Sequence, residues 1–478
     1  MGRRTIKPFA VQGVTFTGMA DKGKCAGRTP EGQVVFAEAA APGDVADVLV
    51  RKKKDDYLLG QLLSIHQYSS LRTEPFCQHY QDCGGCQWQH INYGAQLEHK
   101  QLMVENALRR IGKVQTESML PIVPADRTVY YRNKLEFAFS NKKWRTPQEM
   151  ALGELADQNV LGYHRAGAFD KILHIEHCWL QDSPSNEIRN ALGEIAQELE
   201  LSFFDVVRNT GFLRHVMIRV TTLGEILLVM SFGERDEKNI KRFLDAVIER
   251  FPDLTTVAYC INPKPNDYWL DLDVVQYYGK GYIEEELGHV RFRIGPKSFF
   301  QTNTTQAIRL YNVVVEFAEL TGTENVYDLY TGLGSIALYV ANRCKQVVGI
   351  EQVEEAIEDA RVNASVNGIE NTVFYAGDVR NILTKEFAER HGKPDLLITD
   401  PPRDGMHPDV VKMLLQLEAP RIVYVSCNPA TQARDLNLLS EKYEVKKSQP
   451  VDLFPHTYHI ENVALLELKK GGFEDLKI

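Results

Sequence analysis

From about residue 320 onward, short runs of β-branched and aromatic residues alternate with helical stretches, and each run stops on a polar residue. Regular alternation of this kind calls for a doubly wound parallel sheet with helices on both faces. Such sheets hold ligands in the crevice beyond the carboxyl ends of their strands, so the stops are where chemistry is expected. The first strand ends in Asp328-Leu329-Tyr330-Thr331-Gly332-Leu333-Gly334-Ser335, and a helix follows. Glu351 ends the second, Ala376-Gly377-Asp378 the third, Asp400-Pro401-Pro402-Arg403 the fourth, and Cys427 the fifth.

These endings narrow the ligand. A three-glycine dinucleotide fingerprint is absent, which disfavours a nicotinamide cofactor. Gly332-x-Gly334, an acid at Glu351 for ribose hydroxyls and a second at Asp378 for an adenine edge fit S-adenosylmethionine. The run Ile422 to Val425 reads as a buried strand, and Asn428-Pro429 turns the chain directly after Cys427. With Asp400 on the preceding strand, and with Phe454-Pro455-His456-Thr457 and Glu461 following, a nucleophile, an acid and a base would meet at one sheet edge. The rival is an amino-group methyltransferase. Those place a stacking aromatic after Pro-Pro and need no thiol, whereas Arg403 stands in that place and Cys427 would be idle.

At 478 residues the chain exceeds one ordinary core, so two or three domains are expected. No apolar run approaches a membrane span, and Met1-Gly2-Arg3-Arg4 leads into no hydrophobic signal region. A cytoplasmic protein with no membrane partner follows, and there the eight cysteines are expected as ligands, nucleophiles or buried thiols. The net charge of −9 argues against a general polyanion binder. It leaves RNA open, because local basic clusters occur at Arg51 to Lys54, at Arg109-Arg110 and along Arg132, Lys134, Lys142, Lys143 and Arg145.

Residues 1–70 carry short strands broken by Gly and Pro, the pattern of a small β-barrel. Residues 71–290 open with Cys77, Cys83 and Cys86, spaced five then two, with Gly84 and Gly85 between the last pair. A cytosolic cluster of this kind binds zinc or an iron–sulfur centre, and Cys178 is the nearest candidate for a fourth ligand. The residues alone leave the choice of metal open. A helix is expected over 93–113, packed on the C-terminal domain, with Leu97, Val104, Leu108 and Ile111 on one face and Gly112 as its stop. Tyr130 to Phe139 alternates like a strand and interleaves basic with aromatic residues, suited to phosphates and stacked bases. Strands at 212–219 and 225–232 and helices at 184–199 and 239–250 complete an α+β middle domain. Residues 291–478 form the third unit.

On these pieces the chain resembles the RNA uracil-5-methyltransferases, most closely their iron–sulfur 23S rRNA branch. The matching segments are Cys77…Cys83-Gly-Gly-Cys86, Cys178, Tyr131 to Lys134, Gly211-x-Leu213-Arg214-His215, Ser298 to Asn303, Asp400 to Arg403, Ser426 to Pro429, and Phe454 to Thr457 with Glu461. Departures stand at Thr331, where the family often has Cys, and at Ser335, where it often has Asn. The resemblance implies an RNA-binding TRAM barrel, a central domain with a [4Fe-4S] cluster on Cys77, Cys83, Cys86 and Cys178, and a Rossmann-like S-adenosylmethionine methyltransferase domain. It also implies cofactor contacts from Gln301, Tyr330, Glu351, Asp378 and Asp400, and ribosomal RNA as substrate; the oligomeric state stays open, a monomer being the expectation.

The chemistry accounts for the residue types. Carbon 5 of uracil is a poor nucleophile until a thiolate adds to carbon 6 and turns the ring into an enolate. Cys427 is expected as that nucleophile, partly ionised, with Glu461 as the base that removes the carbon 5 proton and rests ionised, and Asp400 orienting the uracil and the thiol. The uridine must be flipped or single-stranded to enter. Transfer RNA is the alternative substrate. A non-catalytic iron–sulfur RNA-binding assembly factor is the alternative of another class.

Overall fold

The computed structural model describes residues 7–145, 147–151, 153, 158–165 and 167–469; Met1 to Arg4 lie outside them. Phe9–Met19, Cys25–Arg28, Val34–Glu38, Val45–Lys53 and Tyr57–Gln67 close into a five-stranded barrel. Alternate residues point inward, so Val14, Phe16, Val35, Ala37, Val48, Val50 and Leu58 form its core. Cys25–Arg28 goes beyond the expected strands. It is short, and Gly27 has no side chain to alternate because a Cβ there would stand 2.7 Å from the Thr15 carbonyl oxygen.

A seven-stranded sheet follows in the order Val275–Gly279, Thr256–Ile261, Ile226–Phe232, Leu213–Val220, Lys134–Ser140, Val160–Arg165, Ala168–His174. Helices Ser185–Glu198 and Glu237–Arg250 cover one face, burying Ile188, Leu192, Ile195, Ile240, Phe243 and Leu244 against it. The strand expected from Tyr130 starts only at Lys134. Tyr130 has φ +52°, and the amides of Tyr130 and Arg132 donate to the carbonyls of Trp179 and Leu180. That stretch therefore runs along the Cys178 loop, and its alternation does not mark a sheet face.

The largest sheet has eight strands: Thr372–Ala376, Gln346–Glu351, Asn325–Leu329, Leu396–Thr399, Arg421–Ser426, Glu461–Leu468, Tyr443–Val451 and Thr116–Met119. The first five are parallel; Glu461–Leu468 runs antiparallel to both its neighbours. Helices pack on both faces, which is why Val347, Val348, Ile398, Ile422 and Val423 read as continuous apolar runs. The hairpin Ile283–Leu287 with Val290–Ile294 spans the expected 290/291 boundary and shares its core with helix Thr304–Ala318.

Helix Tyr93–Asn106 continues through a π-helical turn, Ala107–Gly112, and Lys113 closes it in the left-handed region. The wider turn shifts the phase, so Ile111 is exposed, contrary to its expected place on the buried face. Gly112 takes that face instead, since a Cβ there would lie 2.8 Å from the Ala433 carbonyl oxygen, and its own carbonyl accepts from Asn437 at 2.6 Å. The helix also buries Gln96 and Lys100 completely, two polar residues that periodicity assigns to solvent. Among the described residues no helix is long and apolar enough to cross a membrane.

Candidate active site

Cys427 follows directly on strand Arg421–Ser426, and Glu461 begins the antiparallel strand whose next residue, Asn462, faces Ser426. Asp400 follows Leu396–Thr399, the neighbouring strand on the other side. The sheet thus brings three residues from distant segments to one edge. Below them, Gln432 Nε2 donates to the carbonyls of Tyr424 and Asn462, Asn462 Nδ2 donates to Gln432 Oε1, and Ser448 donates to Asn462 Oδ1. This buried amide network fixes the two strand ends relative to each other.

Asn428 caps helix Pro429–Leu439 by accepting from the Ala430 amide at 3.1 Å, while its Nδ2 donates to the Arg403 carbonyl at 2.9 Å. Thr431 donates to the same carbonyl at 3.0 Å. The turn after the nucleophile therefore also holds the turn after Asp400. The guanidinium of Arg403 acts on both Cys427 and Glu461, favouring the ionised form of each.

The site is rich in acid and poor in compensating charge. Burial, then Asp400, pushes the Glu461 carboxyl well above the usual carboxylate range, with Arg403 opposing. Burial, then Asp328, raises Asp400 to about 7. Burial, then Glu461 and Asp400, raises the Cys427 thiol to about 11. Burial and the neighbouring carboxyls thus oppose ionisation of both Cys427 and Glu461, the state expected of each, while Arg403 favours it.

On the cofactor side, Tyr330 sits at φ +64°, and Gly332 and Gly334 also have positive φ, at +57° and +85°. Asp328 is buried and accepts from Thr331 Oγ1 and the Ala337 amide, which braces the turn. Glu351 accepts from the Gly332 amide at 3.1 Å. A Cβ on Gly332 would meet nothing within 4 Å, so space is open beside the strand ends. Asp378 caps the short helix Val379–Ile382 and pairs with Arg380, and Gln301 is half-buried with its carbonyl held by Asn133.

Cys77, Cys83, Cys86 and Cys178 are free thiols lining one cavity, together with Arg132, Tyr163 and Trp179. Among the described residues, the metal-ligand atoms that all lie within 4.8 Å of one another belong to His164, His215 and Asp267. Buried Arg214 holds Asp267 Oδ1 at 3.0 Å, so that trio is an ion-pair network and not a cation site.

Sequence reasoning left Arg403 and Asp328 out of the site, although both stand in the strand endings it singled out. It missed Gln96, Lys100 and Asp452 entirely, because no local pattern signals a polar contact between segments some 350 residues apart.

A sheet of this strand order, with its glycine turn and acidic strand ends, defines an S-adenosylmethionine-dependent methyltransferase. Residues 277–469 match the tRNA (uracil-5-)-methyltransferase family model, and residues 7–63 match the TRAM domain. An uncharacterized RNA methyltransferase of Bacteroides thetaiotaomicron is 50% identical over 94% of this chain and 100% of its own. One from Porphyromonas gingivalis is 51% identical over 91% of this chain and 95% of its own. The crystal structure of Pyrococcus abyssi tRNA (uracil-54, C5)-methyltransferase in complex with S-adenosyl-L-homocysteine superposes with a TM-score of 0.74 at 28% identity, covering 95% of this chain and 100% of that one. The chain belongs to the RNA (uracil-5-)-methyltransferase family and carries an N-terminal TRAM domain.

Proposed function

We propose that this enzyme methylates carbon 5 of a uridine in 23S rRNA through a covalent Cys427–uracil adduct. The observation that carries the reading is the convergence of Cys427, Glu461, Asp400 and Arg403 at one sheet edge. The Cys427 thiol loses its proton to solvent, the thiolate sulfur bonds to carbon 6, and the ring electrons move onto the carbon 4 oxygen. S-adenosylmethionine would supply an electrophilic methyl group to carbon 5, with S-adenosylhomocysteine as the leaving group. Glu461, entering as carboxylate, takes the carbon 5 proton, the carbon 6–sulfur bond breaks, and the thiolate leaves. A base with a raised pKa is the stronger proton acceptor once ionised, so the burial of Glu461 serves this step. Arg403 offsets the charge on Cys427 as it becomes a thiolate. Gln301, Tyr330, Glu351, Asp378 and Asp400 would hold the cofactor.

The four cysteines are read as ligands of a [4Fe-4S] cluster that fastens the central domain. Their spacing and shared cavity support this. Ribosomal RNA is favoured because the cysteine set resembles the ribosomal branch. The second reading is transfer RNA, the substrate for which the Pyrococcus abyssi enzyme is named. The substrate test is to map 5-methyluridine in 23S rRNA and in tRNA from a strain lacking the gene. Loss from 23S rRNA is expected; loss confined to tRNA establishes the second reading. The mechanism test is a denaturing gel with radiolabelled cofactor. Cys427→Ala should abolish turnover and adduct, while Glu461→Gln should slow turnover by several powers of ten and accumulate a methylated, RNA-linked protein. A Cys427→Ala enzyme that still methylates refutes it.

A further inference from the structure

The loop from Asp452 to Ile460, which delivers Glu461, is held along its main chain by segments from elsewhere. The Leu453 carbonyl accepts from Asn303 Nδ2 at 2.8 Å, and the Pro455 carbonyl accepts from the Tyr131 hydroxyl at 3.0 Å. The His456 amide donates to Gln96 Oε1 at 2.9 Å, and its carbonyl accepts from the amides of Gln87 and Trp88, both at 2.9 Å. His456 itself stands at φ +63°, a conformation that the loop reaches only because its neighbours impose it.

At the base of this loop lies an ion pair with both side chains 0% exposed: Lys100 Nζ stands 2.6 Å from Asp452 Oδ1. The same Nζ donates to the Phe454 carbonyl at 3.0 Å. Asp452 also accepts from the Tyr93 hydroxyl at 2.9 Å and from the Phe454 amide at 3.1 Å. Asp452 follows Val451, and Val451 is the residue paired with Glu461 across the last two strands. Lys100 therefore fixes the loop at the point where it closes on Glu461. Apolar packing would bury the same surface, but only directed donors set the path of a main chain to within a few tenths of an ångström.

We infer that Lys100 is a positioning residue for proton removal: through Asp452 and the Phe454 carbonyl it holds Glu461 in register with the ring that Cys427 has captured. The inference rests on the reading of Glu461 as the base. It separates the steps, because sulfur addition and methyl transfer need Cys427 and the cofactor side, and only the proton step needs the loop.

The test uses the full chain as Lys100→Met and as Lys100→Met/Asp452→Asn, with Glu461→Gln alongside. The substrate is total RNA from a strain lacking the gene, with radiolabelled S-adenosylmethionine. Both Lys100 variants should keep KM for RNA within about threefold, lose kcat at least tenfold, and accumulate the methylated, denaturation-resistant adduct. The double variant leaves no unpaired buried carboxylate and keeps an acceptor for Tyr93 and Phe454, so its Tm should stay near wild type while the adduct persists. A double variant with kcat within twofold of wild type overturns the inference. A loss confined to KM with no adduct, or a double variant that does not fold, also overturns it by reducing the pair to a stability device. If Glu461→Gln itself accumulates no adduct, the reading beneath fails and the inference with it; an adduct in Glu461→Gln alone sinks only the role of Lys100.

Discussion

Cys427 shares its corner with two carboxyls and a single guanidinium, and that imbalance sets when it can react. Every ionised neighbour of negative charge makes the thiolate costlier, and the thiol is raised to about 11 with burial, Glu461 and Asp400 as the causes. Removing one such neighbour must move the titration to lower pH. Asp400→Asn is expected to shift the pH dependence of iodoacetamide alkylation at Cys427 downward by on the order of one pH unit. Arg403→Met removes the opposing charge and should shift it upward by a similar amount. Mass spectrometry of the Cys427 peptide reads this without turnover. An unshifted profile in both variants would mean that the thiol titrates independently of the acids around it. In the intact enzyme methylation should rise as pH climbs above neutrality, because Cys427 and Glu461, both raised by burial, must lose their protons to act; a rate that falls over that range would contradict this.

Among the elements, helix Pro429–Leu439 does two jobs through one residue. Asn428 caps its first turn and ties the Arg403 carbonyl to it. Losing a cap of this kind costs about 1 kcal/mol, a modest part of a domain's stability. Asn428→Ala should therefore lower Tm by only roughly 2–4 °C. It should lower kcat by tenfold or more, because Arg403 is then free to leave the thiol. A drop in Tm with unchanged kcat would assign Asn428 to the helix alone. The helix 93–106 shows the opposite balance. Its buried face is chosen by partners, Gln96 by His456 and Lys100 by Asp452, and its end by Gly112 closing on Ala433.

The whole molecule is acidic, yet its barrel presents Lys52, Lys53 and Lys54 exposed at the turn between its last two strands. Each phosphate contact contributes roughly 0.7 to the log–log salt slope of single-stranded binding. Replacing the three lysines by alanine should reduce the slope by about 2 and weaken RNA binding uniformly; an unchanged slope places the RNA elsewhere. The Arg132 guanidinium lies 5.7 Å over the ring of Phe454, on the loop that leads to Glu461. Taken alone, the sequence determined the barrel, the doubly wound sheet and the strand endings Glu351, Asp378, Asp400 and Cys427. Those follow from periodicity and from turn chemistry, which act over a few residues. Its reading of Glu461 rested on a motif. The upward shift of Cys427 and Glu461, the π turn that exposes Ile111, and the pairing of Lys100 with Asp452 were decided only by the tertiary structure. Burial, the sum of nearby charges and contacts between distant segments exist only once the chain has closed on itself.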